Sequence, residues 1–127
     1  MFGLFKMDKA NTPIIKQLPA ASATYNVGEV ATLTGGVVTK ASGSTKPTYV
    51  VVEKGTKTTA DTVSVTPIYA DQEYLTTLST AGSLTVGSLV TISADSDEVT
   101  ATTTNGVAKV IEATGSAKGS AVVVKFV

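Results

Sequence analysis

The sequence predicts an all-β fold made of two related β-units behind an extended N-terminal arm. Three observations carry this. Thr and Val make up roughly a third of the chain, and both are β-branched residues suited to a pleated strand. No segment shows the apolar period of an amphipathic helix. A half-hidden repeat runs through the chain. Val27-Gly28-Glu29-Val30-Ala31-Thr32-Leu33 returns as Val86-Gly87-Ser88-Leu89-Val90-Thr91-Ile92, and a turn, a Val-Thr run and two strand-like runs follow each copy at an offset of about 60 residues.

Residues 1–24 have no repeat partner in the sequence and read as the arm. They hold Phe2, Leu4, Phe5, Met7, Ile14, Ile15 and Leu18. Pro13 and Pro19 oppose a long helix and favour extended chain. The first unit spans residues 25–68. In it Gly35-Gly36 signals a hairpin, because glycine supplies the positive φ such turns need. Residues 41–47 form a flexible loop, 48–53 the most apolar strand, and 62–68 a strand with Val63 and Val65 turned inward. A connector, residues 69–83, holds a strand from Gln72 to Leu78. Tyr69 and Tyr74 are expected half-buried there, with their hydroxyls in water. The second unit spans residues 84–127. Its last strand, ending at Val127, is expected inside a sheet. Each unit alone has too few strands to bury both faces, so the two are expected to pack as one cooperative domain.

Composition limits the chemistry. The ten basic residues are all Lys, balanced by ten acids. Without the guanidinium fork and without a basic stripe, nucleic acid is not an expected partner. The chain has no Cys, His or Trp. Disulfides and thiolate metal sites are thereby excluded, and the commonest general base and an indole stacking platform are missing. No apolar run approaches the roughly 18 residues of a spanning helix, so no membrane is expected.

The acidic residues offer weak candidates. Asp95-Ser96-Asp97-Glu98 has oxygen ligands for a hard cation but neither the spacing nor the glycine pivot of an EF-hand, and it reads as a hairpin turn. Asp71 and Glu73 flank Gln72 without the aromatic cleft a glycosidase carries. The many Ser and Thr have no base to activate them. The chain is therefore expected to be no enzyme, with no catalytic residue, no metal and no cofactor. What remains is the arm. Phe2, Leu4 and Phe5 are its expected anchors on another protein, and Ile14-Ile15 a second contact, since each large apolar side chain buried is worth about 1.5–3 kcal/mol.

The segments VGE…TLTGGVVTKASG, TYVVVEKG, ADQEYLTTLS and LTVGSLVTISADSDEVTATTTNGVAKVIEATG…AVVVKF together resemble the head decoration, or capsid cement, proteins of tailed bacteriophages. The resemblance covers about residues 25–127 and rests on turn glycines and Val/Thr strands. It implies a compact β-barrel or β-tulip-like domain on the outer surface of the phage head. It further implies an arm that clamps the major capsid protein, a homo-oligomer with a trimer favoured, and synthesis in the host cytoplasm. Many copies bridging capsid subunits would make weak contacts collectively strong. The alternative is a subunit of a self-assembling tube, fibre or cell-surface layer.

Overall fold

A computed structural model describes residues 1–7 and 14–127; Pro13 lies outside the described residues. The chain is all-β, with twelve strands and no helix among those residues. The strands are β1 (Gly3–Met7), β2 (Lys16–Pro19), β3 (Ala23–Tyr25), β4 (Val30–Thr34), β5 (Val37–Lys40), β6 (Tyr49–Val51), β7 (Gly55–Lys57), β8 (Thr62–Pro67), β9 (Gln72–Thr77), β10 (Leu89–Val90), β11 (Ala108–Ala113) and β12 (Ala121–Phe126). They form two five-stranded sheets, β2-β8-β6-β4-β5 and β1-β9-β12-β11-β10, and a β3-β7 ribbon. The resemblance implied a β-barrel or β-tulip-like domain; no closed barrel is found among the described residues, although the end strands β2 and β5 of the first sheet approach each other at the parallel bridge Ala20↔Val38. The C-terminal strand β12 does lie inside its sheet, between β9 and β11.

The internal repeat is a repeat of pairing as well as of sequence. Val30↔Val50 in β4–β6 returns as Leu89↔Lys109 in β10–β11, each residue displaced by 59 positions. Val51↔Val65 in β6–β8 returns as Val110↔Val124 in β11–β12 with the same displacement. The turns that start the units match too. Glu29 N–H donates to Asn26 O and Ser88 N–H to Thr85 O, and Gly28 and Gly87 take φ of 87° and 90°, where a side chain is strained.

The duplication reaches further upstream than the sequence shows. Leu18↔Val63 in β2–β8 corresponds to Thr76↔Val122 in β9–β12, and Pro19↔Thr62 to Thr77↔Ala121. The parallel bridge Ala20↔Val38 corresponds to Leu78↔Val99. β2 is thus the counterpart of β9. The segment expected as a partnerless arm contributes β2 to the first unit, and part of the expected connector opens the second. Within residues 1–24, strands β1, β2 and β3 are all paired to later strands.

Local chemistry accounts for the strands. Gly35 and Gly36 both have positive φ, 59° and 82°, which gives the two-residue turn that joins β4 to β5 without splaying them. In β8 the β-branched Val63 and Val65 are fully buried while Thr62 is exposed, the alternation of a half-buried strand. The hairpin around Ile92↔Val99 corresponds to Leu33↔Val38 with two more residues in its turn.

The larger core gathers Phe2, Val30, Val50, Tyr74, Leu78, Val90, Ile92, Val110, Val124 and Phe126 from both units. A smaller one, within the first unit, holds Tyr25, Ala31, Val38, Val51, Val63 and Val65. Val30 and Ala31 of β4, like Val50 and Val51 of β6, thus face different cores, so both strand faces are covered at these positions. The expected flexible loop 41–47 is pinned instead: Gly43 and Ile92 exchange two backbone hydrogen bonds, 2.9 and 3.0 Å, across the two units. Buried Glu29 is balanced by Lys40 at 2.9 Å and accepts Asn26 N–H through Oε1 at 2.6 Å, so its charge is compensated.

Candidate functional site

The first two residues fix how β1 enters. The Met1 ammonium donates to Asp97 O at 2.6 Å and Phe2 N–H to Gly28 O at 2.7 Å. The Met1 side chain fills the space that a Cβ on Gly28 would need. One strand end therefore touches the opening turn of the first unit and the acidic turn of the second. Phe2 then points inward. It is 2% exposed, and its ring lies 5.3 Å from Phe126, tilted by 60°, a favourable aromatic arrangement. Phe2, expected as a partner anchor, is a core residue here, because the hydrogen bond to Gly28 and the pairing with β9 carry its ring between the sheets.

Beyond Phe2 the strand turns outward. β1 pairs antiparallel with β9 as Gly3↔Leu75, Leu4↔Tyr74, Lys6↔Glu73 and Met7↔Gln72, with a register shift between Leu4 and Lys6. Such a bulge re-aims side chains. Leu4 and Phe5, adjacent in sequence, are both exposed, at 45% and 52%. Leu75 is 42% exposed on the outer face of β9, opposite Gly3, which has no side chain to cover it. Met1, Gly3, Leu4, Phe5, Leu75, Thr77 and their neighbours line a groove of about 360 Å³. Isolated exposed apolar residues are ordinary, but a continuous patch marks a contact surface. Sequence reasoning missed Leu75; the alternation from Gln72 to Leu78 already sets it on the face opposite Tyr74.

Ile14 and Ile15 lie elsewhere, just before β2, an end strand of the other sheet, 52% and 66% exposed. The structure thus joins Leu4 and Phe5 in one patch, puts Ile14 and Ile15 on a second edge, and withdraws Phe2 into the core.

The acidic candidates are engaged in local structure. Glu98 Oε2 accepts the Thr77 hydroxyl at 2.6 Å, and Asp97 Oδ1 accepts the Ser93 hydroxyl at 3.3 Å. Asp71 sits in the turn before β9, and Glu73 faces Lys6 across the β1–β9 pair. Between them Gln72 is buried, its Oε1 accepting the Tyr74 hydroxyl at 2.6 Å and Tyr69 N–H at 2.8 Å. Tyr74 is accordingly buried, not half-wet, and burial pushes its hydroxyl pKa well up. No group of three or more metal-ligating side chains occurs among the described residues. Neither a protein-family model, nor a curated protein, nor a solved structure matches the chain.

Proposed function

We propose that the protein is a structural decoration protein, a cement, that binds the outer surface of a bacteriophage head and bridges major capsid protein subunits. The observation that carries this reading is the apolar patch of Leu4, Phe5 and Leu75, held on a paired edge strand in a chain without Cys, His or Arg. Such a surface suits contact with another protein and has no group poised for covalent or acid–base chemistry. Leu4 and Phe5 make the first contact with the capsid, and Ile14 and Ile15 the second. Phe2 serves indirectly, by holding β1 in place. The protein takes no cofactor, joins the outside of the virion after synthesis in the host cytoplasm, and meets neighbouring copies there, as a trimer.

The test mixes purified protein with expanded heads that lack it and measures co-sedimentation. Saturable binding is expected, lost at least tenfold on replacing Leu4 and Phe5 together by Ser. Failure of the wild-type chain to bind heads refutes the reading, and unaided polymerisation into tubes or sheets favours the self-assembling alternative.

A further inference from the structure

We propose that the open edge of β2 and of the two residues before it, over Ile14–Gln17, binds an extended segment of a partner protein as an added antiparallel strand. The fold's own duplication supplies the reason. In the second unit the matching edge, Gln72–Leu75 of β9, is covered by β1. The β2–β9 correspondence places Ile14, Ile15, Lys16 and Gln17 at those same positions in the first unit. There, among the described residues, β2 is the outermost strand of its sheet, with β5 bonding to the segment only past Pro19, where Ala21 N–H donates to Val38 O. The side chains at these positions are accessible as well: Ile14 is 52% exposed and Lys16 lies open to solvent.

Backbone direction agrees. Ala20 N–H bonds to Asp61 O, just beyond the β8 end of the pair. The alternation of an antiparallel ladder then turns Lys16 and Leu18 toward β8, and Ile15 and Gln17 toward the open side. Pro19, next in that outward series, has no N–H to offer and ends the usable edge. β1 likewise stops opposite Leu75, before the Thr77 that corresponds to Pro19.

The edge also selects its occupant. A second copy fits poorly. The self-pairing register that bonds Ile15 to Gln17 sets Lys16 against Lys16, and like charges directly opposite repel. Shifting it toward the C-terminus opposes Ile15 to Pro19. A partner segment with an apolar residue opposite Ile15 and an acid opposite Lys16 meets neither obstacle, and strand addition of this kind draws affinity from main-chain bonds and specificity from alternate side chains. It stands whether or not that partner is a capsid subunit.

The test titrates the full chain, labelled for NMR, with the capped peptide acetyl-GTEVVG-amide. Saturation is expected to shift the Ile15 and Gln17 amides and slow their exchange at least tenfold, and exchanging the peptide's Glu for Lys weakens binding at least fivefold. Gln17→Pro removes one outward N–H together with the side-chain bonds to Thr62 and Ser64 of β8, and Gln17→Ala removes those side-chain bonds alone; the first is expected to abolish the response and the second to keep it. Lys16→Glu, which leaves the backbone unaltered, reverses the peptide preference. The inference is overturned if no amide between Ile14 and Gln17 responds, if Gln17→Pro binds as wild type, if Lys16→Glu leaves the preference unchanged, or if the edge is instead filled by a dimer of the chain.

Discussion

Phe2 and Phe5 are three residues apart, yet they are expected to respond oppositely to truncation. Phe2 is enclosed by both sheets and packs at a tilt against Phe126, which in turn lies 5.5 Å from Tyr74. Removing a buried Phe side chain costs about 3–5 kcal/mol, the spread reflecting how far the site can collapse. Here a cavity of about 190 Å³ already adjoins Phe2, into which its neighbours can resettle. This favours the lower end, about 3 kcal/mol for Phe2→Ala. At about 4 °C per kcal/mol for a domain of this size, the thermal midpoint falls by roughly 10 °C. Phe5→Ala removes a half-exposed ring that holds no core position, so it is expected to change stability by less than about 0.5 kcal/mol. Urea unfolding followed by far-ultraviolet circular dichroism measures both. Equal midpoints for the two variants, or a larger loss for Phe5→Ala, would refute the placement of β1 on β9 and the reassignment of Phe2.

Three further outcomes are expected. Thr66 Oγ1 is buried without a partner beside the same cavity; Thr66→Val keeps the β-branched shape and removes the orphan hydroxyl, raising stability by about 1 kcal/mol in the same urea assay. A Cβ on Gly106 would lie 2.3–2.6 Å from the backbone of Leu89 and Val90. Gly106→Ala must therefore displace β10 from β11, with a loss of about 2 kcal/mol or more and faster amide exchange at Val107. Acid is the third perturbation. The Ser64 N–H, with Lys57 adding to it, holds the Glu53 carboxyl below its ordinary 4.5, and the Thr58 N–H holds Asp61 below 3.8. Carboxyls lowered by folding stabilise fully above their unfolded values, and that stabilisation disappears as pH falls through the folded ones. The thermal midpoint should be insensitive to these groups from neutral pH down to about 4.5, then decline; a midpoint that rises below pH 4 would contradict the assignment.

The sequence by itself determined what is local. β-branched composition, two-residue alternation and turn glycines gave the all-β class, the Gly35-Gly36 hairpin, the inward Val63 and Val65, and a repeat visible at its Val-Gly turns. These signals survive in one dimension because each depends on neighbours within a few residues. Only the tertiary structure decided the pairings between distant segments. Lys16-Gln17-Leu18-Pro19 and Tyr74-Leu75-Thr76-Thr77 share no residue at corresponding positions, so their equivalence appears only in what they bond to, β8 in one case and β12 in the other. Phe2, Leu4 and Phe5 look alike as apolar letters. Their separation into one core residue and two surface residues follows from a hydrogen bond to Gly28, a bulge after Leu4 and a partner strand some seventy residues away. A strand's outer edge is likewise invisible in sequence, because a backbone N–H reads the same whether or not a neighbour has come to meet it.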